Sequence, residues 1–148
     1  MLAHDTPPDR AGRRPSRGRR RIAIVENPRK ERALRAFEAR LQERGAGELT
    51  LERFVARSAD DLADQAERAA RSGADVVVAA GGDGTVLGVV NGLAASREAP
   101  PLLVAPLGGS NDYARALGHA SVDAAVATLL GGEDARVDLC RCSFVDAE

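Results

Sequence analysis

The chain has 148 residues, room for one ordinary domain and not for two. Its 44% apolar and 29% charged residues are the balance of a globular protein, and a net charge of −1 argues against nucleic acid as a partner. No stretch approaches the ~20 apolar residues of a membrane span, and the basic N-terminus lacks the apolar centre of a secretory signal.

The chain opens on a mixture of Pro, Gly, Ser and Arg with almost no apolar residues. Residues 1–21 hold seven arginines against Asp5 and Asp9, so the rest of the chain is acidic. Residues 1–20 cannot bury enough surface to offset ordering entropy and are expected to form a disordered tail. An inert tail is the plain reading, and a contact with anionic lipid headgroups the functional one.

Order begins at RIAIVENP, where Ile22, Ile24 and Val25 predict a short strand. Pro28 suits the first turn of the next helix. Leu34, Phe37 and Leu41 then recur at helical spacing over 29–44, and Gly45 and Gly47 end the helix. A second strand is expected over 48–55. Ser58 and Asp61 have the spacing of a capping box and open a helix that Gly73 closes. ADVVVAA is apolar on both faces, as a central parallel strand should be. A glycine turn, GGDGT, and a helix to about Ala95 follow.

PLLVAPLG predicts a fourth strand with its own glycine turn, NDYARALG a short helix closed by Gly118, and 121–130 a further helix. ARVDLCRCSFV, residues 135–145, reads as a last strand. Cys140 and Cys142 lie too close to bridge each other readily and are read as reduced thiols of a cytosolic protein. The alternation of strands and helices predicts an α/β fold, a doubly wound, mostly parallel sheet with helices on both faces. Ligands of such sheets sit at the carboxyl ends of the strands. Three loops meet that description: Asn27-Pro28, Gly81 to Thr85, and Leu107 to Asn111.

Gly81, Gly82 and Gly84 let a ligand approach the backbone, and the N–H groups of the following helix suit an anion. Asp83 repels a bare phosphate but is useful where a divalent cation lies between the two. Magnesium prefers one or two carboxylates plus phosphate oxygens, so the turn points to a nucleotide with Mg²⁺. Thr85 can cap the helix or donate to a phosphate. A P-loop would need GxxxxGK[ST], which is absent, and the GxGxxG spacing is only loosely met.

GGDGTVLGVVNGL followed by PLLVAPLGGSNDYARALG resembles the diacylglycerol kinase catalytic domain family, which includes bacterial lipid kinases and sphingosine kinases and is distantly related to NAD kinases. The likeness runs from Asn27-Pro28 to the VDL stretch, most of residues 21–142. Asn111, Asp112, Ala114 and Arg115 favour the lipid-kinase branch. The resemblance implies the N-terminal, nucleotide-binding domain of a kinase that moves the γ-phosphoryl of ATP to a lipid hydroxyl with Mg²⁺.

By that likeness Gly81, Gly82, Asp83, Gly84, Thr85, Val86 and Leu87 contact ATP, with Asn27 and Pro28 in the first loop. Gly109 stands where the family often has an ATP-contacting threonine. Ser110 is the nearby hydroxyl, and Asn111 and Asp112 line the cleft. Asp83 is the candidate catalytic residue, acting through the position of Mg-nucleotide, and the candidate magnesium ligand.

The chain also departs from the family. Arg29, Lys30 and Glu31 replace a Ser-Gly pair, with Arg29 or Lys30 as substitute phosphate partners. Leu87 and Gly88 replace Asn-Glu. Residues 143–148 stand where the family's C-terminal β-domain begins, and that domain supplies the general base, for which Asp112 is the only local candidate. The partners in view are a lipid substrate at a membrane surface, a separate or following β-domain, and a second copy of the chain. The expected location is cytoplasmic and peripheral to the membrane. A binding module without turnover and a small-molecule kinase resembling NAD kinase are the alternatives.

Overall fold

The computed structural model describes residues 19–96 and 99–142. β1 (Arg20–Glu26), β2 (Leu49–Val55), β3 (Val76–Gly81) and β4 (Leu102–Pro106) form one parallel sheet in the order β2-β1-β3-β4. The crossovers carry α1 (Glu31–Arg44), α2 (Asp61–Arg71) and α3 (Asp83–Ala94), while α4 (Asp112–Ala116) and α5 (Val122–Gly131) follow β4. The α/β class is as expected, and so is each element through residue 131. β1 takes in Arg20, which composition had placed in the tail.

β3 shows why the sheet is covered on both sides. Side chains alternate across a strand. Val76, Val78 and Ala80 join Ile22 and Ile24 in one core, against Leu34, Phe37 and Leu41 of α1 and Val126 and Leu129 of α5. Val77 and Ala79 join Ala23 and Val25 in the other, against Leu62 and Ala66 of α2 and Val86 and Val89 of α3. All six residues of β3 are buried, so neither face tolerates a polar residue.

Ser58 and Asp61 interact as their spacing suggests, but ahead of α2, whose cap residue is Asp60, and without the reciprocal bond to the Ser58 N–H. The Ser58 hydroxyl accepts from the Asp61 N–H at 3.2 Å, and the Asp61 carboxylate accepts from the Arg57 N–H at 2.8 Å. α2 then packs closely on α3. A Cβ at Gly92 would run into the Ala63 carbonyl, and one at Gly88 would stand 2.6 Å from Leu62 Cβ. Gly88, one of the departures from the family pattern, thus has a packing reason.

Over its described residues, 135–142, the strand expected over 135–145 is not formed. Residues 132–142 carry neither helix nor strand, and 143–145 lie outside the described residues. Val137 and Leu139 are exposed. Alternating apolar residues make a strand only where a neighbour takes up the backbone hydrogen bonds, and no strand among the described residues pairs with this segment.

The chain steps from β1 outward to β2 and returns to the other side of β1 with β3. The strand order therefore reverses between β1 and β3. In such sheets the crevice beyond the carboxyl ends of these strands is the ligand position. Asn27-Pro28 and Gly81–Thr85 are the loops there, and the turn after β4 lies beside them.

Candidate functional site

β3 ends at Gly81, and α3 starts at Asp83 with Gly82 as its cap residue. Gly82 has extended φ and ψ of −94° and −171° and no side chain to offer the first amides of α3. Those amides carry the partial positive charge of a helix N-terminus. Thr85 does not cap the helix. It is buried, and its side chain fills the space that a side chain on Gly81 would need. Val86 is buried in the core and serves packing, whereas Leu87 is 64% exposed.

The turn after β4 is tied to the first. The Leu107 N–H donates to the Gly81 carbonyl at 3.1 Å, which carries the β3–β4 ladder one step past the strands. Gly108 then lies backbone to backbone on Gly82. A Cβ on Gly108 would collide with Gly82 Cα, and one on Gly82 would stand 3.2 Å from Gly108 Cα. The two glycine turns are therefore one continuous surface.

Asn111 closes the second turn in the left-handed conformation, with φ and ψ of 52° and 40°. Asparagine tolerates this region better than other side chains. Its Oδ1 accepts from the Gly108 N–H at 2.8 Å, and its Nδ2 donates to the Gly108 carbonyl at 3.0 Å. Asn111 was expected to line the cleft, but its carboxamide is occupied in shaping the turn.

Asp83 also looks inward. Its Oδ1 accepts from the Tyr113 N–H at 3.0 Å and its Oδ2 from the Asp112 N–H at 3.2 Å. The Tyr113 amide foremost, and then the Asp112 amide, hold the Asp83 carboxyl below its ordinary pKa despite some loss of hydration. The Asp112 carboxylate points away from the core and pairs with Arg115 one turn later.

Gly84 and Gly109 differ from their neighbours. Neither has positive φ, and nothing lies within 4 Å of a Cβ built on either. Both are exposed, as is Ser110. The fold supplies no internal reason for glycine at these two positions. Glycine there leaves room for something from outside.

In the first loop, Asn27 Oδ1 accepts from the Arg29 N–H at 3.1 Å and caps a single 3-10 turn, Pro28–Lys30. Arg29, Lys30, Arg32, Ala33, Ala36 and Leu107 line a cleft of about 410 Å³, so the cations of the first loop and the start of the second turn share one depression. A cleft of the same size, about 410 Å³, lies beyond β1 at the far edge of the sheet, lined by Val55, Arg57, Asp61, Gln65 and Arg68.

The structure thus brings Gly81, Gly82, Asp83 and Gly84 together with Gly109, Ser110, Asn111 and Asp112. The diacylglycerol kinase catalytic domain matches residues 25–142. The chain belongs to this family. A diacylglycerol kinase of Staphylococcus aureus (strain MRSA252) is 37% identical over 126 residues, which are 82% of this chain and 39% of the relative. That of Bacillus subtilis (strain 168) is 43% identical over 83 residues, 55% of this chain and 27% of the relative. The crystal structure of a diacylglycerol kinase from Bacillus anthracis superposes with a TM-score of 0.60 at 28% identity, over 76% of this chain and 42% of that one. The chain therefore spans well under half the length of the kinases it matches.

Three contributors escaped the sequence reading. Gly108 holds the turns in contact, and the Tyr113 amide holds Asp83. Glu26, the last residue of β1, is 1% exposed, with Oε1 accepting from Arg53 Nε at 2.8 Å and Oε2 without a partner. A signal for the first two was present, since Gly81–Asp83 and Gly108–Tyr113 follow neighbouring parallel strands. A carboxylate beside the start of a helix will seek its amides. Glu26 gave no signal, because ENP reads as a polar strand end.

Proposed function

We propose that the two glycine turns form a nucleotide-phosphate site, and that the chain carries the nucleotide-binding part of a lipid kinase. ATP is the phosphoryl donor, and the acceptor is the hydroxyl of a diacylglycerol-like lipid. The observation that carries this reading is the open space over Gly84 and Gly109, beside the start of α3 at a strand-order reversal. Phosphoryl transfer relies mainly on positioning and charge stabilisation, which backbone amides can supply. The family membership and the names of the relatives agree with it. Arg29 and Lys30, on the rim of the adjoining cleft, are suited to the outer phosphates.

The residues fit a divalent cation only in part. No cluster of three His, Cys, Asp or Glu occurs among the described residues. A cation arriving with the nucleotide needs only one or two carboxylates, and Asp112 stands beside the turns, whereas both oxygens of Asp83 already accept backbone amides. When bound, the cation would neutralise charge developing on the phosphates. The lipid acceptor reaches the site from a membrane surface. Among the described residues no helix is long and apolar enough to cross one.

The test is phosphoryl transfer from labelled ATP, with Mg²⁺, to diacylglycerol in vesicles and, in parallel, to NAD⁺. Labelled lipid alone supports the reading, and labelled NAD⁺ alone overturns it. A second reading is a nucleotide-binding module without turnover. It is favoured by exposed Leu87 and by Gly109, where side chains that could contact a nucleotide are missing. It predicts ATP binding by calorimetry with neither acceptor labelled.

A further inference from the structure

We propose that Asp83 is a positioning residue: its carboxylate clasps the second glycine turn to the first, with no nucleotide or metal required. The inference rests on the nucleotide-site reading only for its consequence.

A helix leaves its first amides without partners, and the cap residue's side chain usually accepts from one of them. α4 is different. Its cap residue, Asn111, makes no side-chain hydrogen bond to the helix, because the carboxamide is turned to both backbone groups of Gly108. The missing acceptor comes from a residue 29 positions earlier in the chain. Asp83 takes the amides of Asp112 and Tyr113, one on each carboxylate oxygen. Asn111 is thereby released to lock the turn, and Asp83 holds the helix that follows it.

Three ties then run between the turns. They are the Leu107–Gly81 backbone hydrogen bond, the Gly82–Gly108 contact and the Asp83 clasp. The first two fix the approach of the strand ends. The clasp fixes the direction in which residues 109–111 leave. It sits between Gly82 and Gly84, so it also sets the relation of Gly84 to Gly109, the glycines of these two turns that have open space around a Cβ.

The arrangement also accounts for a carboxylate in a phosphate-facing turn. Both oxygens of Asp83 meet N–H dipoles, and Arg115 lies near enough to favour the charged form. Amides and a guanidinium offset the charge that would otherwise repel a phosphate. Asp112 is the other carboxylate close by, and Arg115 is its partner.

The clasp can be tested on the full chain. Asp83→Ala removes both acceptors, whereas Asp83→Asn keeps one and sets an NH₂ donor against the other amide. Amide hydrogen exchange is followed by NMR without nucleotide and with EDTA. In wild type the Asp112 and Tyr113 amides are protected. Asp83→Ala is expected to speed exchange at both by about tenfold or more, with Asp83→Asn intermediate. Unchanged exchange at both amides would overturn the proposal. ATP affinity is then measured with Mg²⁺ and with EDTA. The clasp predicts that Asp83→Ala loses the same factor, about tenfold or more, in both. A loss confined to the Mg²⁺ titration would make Asp83 a metal ligand instead and contradict the proposal. If wild type binds no ATP, the nucleotide reading fails, while the exchange measurement still decides the clasp.

Discussion

Three glycines separate the site from the scaffold. Gly84 stands at the second position of α3, with nothing within 4 Å of the space a Cβ would take and no positive φ. Alanine is preferred over glycine in helices by up to about 1 kcal/mol, less so in the first turn. Gly84→Ala should therefore leave the free protein unchanged or raise its stability by a few tenths of a kcal/mol to about 1 kcal/mol. That is a rise in Tm of up to about 4 °C for a domain of this size. Gly92 has the same chemistry in the same helix, but its Cβ would meet the Ala63 carbonyl and the Ala66 side chain. Gly92→Ala must push α2 from α3 and should cost about 1–3 kcal/mol. Thermal unfolding by circular dichroism without ligand gives these values, and calorimetry with ATP gives the affinities. Gly84→Ala and Gly109→Ala should lower ATP affinity about tenfold or more, at unchanged or raised Tm, since a methyl group would occupy the ligand's space. Equal ATP affinity for wild type and both variants would show that the open space is not ligand space.

Other expectations follow from the same contacts. Gly108→Ala forces the turns apart at Gly82 and should lower both Tm, by the equivalent of about 1–3 kcal/mol, and ATP affinity in the same samples. Phe37→Ala, in the α1 core at 0% exposure, should cost about 3–5 kcal/mol in urea unfolding. Arg53→Ala leaves Glu26 buried without its guanidinium and should cost about 1–3 kcal/mol, with the double change to leucine at 26 and 53 recovering part of it. Asp83 and Asp61 both have lowered pKa values, the first through the Tyr113 amide and the second through the Arg57 amide. A lowered folded pKa gives stability that is present above the ordinary value of 3.8 and is lost as pH falls through the folded value. Urea midpoints should therefore drop below pH 3.8, and the drop should be shallower in Asp83→Asn and Asp61→Asn.

Much of the fold was legible because the local signals agreed. In β3 a run of valines and alanines admitted no polar face. In α1 the spacing of Leu34, Phe37 and Leu41 fitted one side of a helix. Ser58 accepts from the Asp61 N–H as their spacing implied, though it stands ahead of the helix cap at Asp60. The last strand failed for a physical reason. Val137 and Leu139 alternate correctly, but alternation specifies a strand only where a partner strand is at hand, which sequence periodicity does not encode.

The site was legible in residues and less so in roles. The glycines, Asp83, Asn111 and Asp112 do meet at one place. What each does depended on contacts that sequence distance hides. Asp83 looked outward to a cation in the linear reading, and in the folded chain it faces the amides of residues 112 and 113. Asn111 looked like a cleft residue and is occupied with Gly108. Thr85 looked like a cap and fills space beside Gly81. In each case the partner lies across a turn or across two parallel loops.

The central claim is that two turns, separated in the chain by a helix and a strand, act as one nucleotide-phosphate site. It is tested most directly by an NMR titration of the full chain with ATP and Mg²⁺. The account predicts that amides of Gly81–Thr85 and of Leu107–Tyr113 shift together and fit a single dissociation constant. Shifts confined to one turn, or centred instead on the cleft of Val55, Arg57 and Arg68, would contradict it.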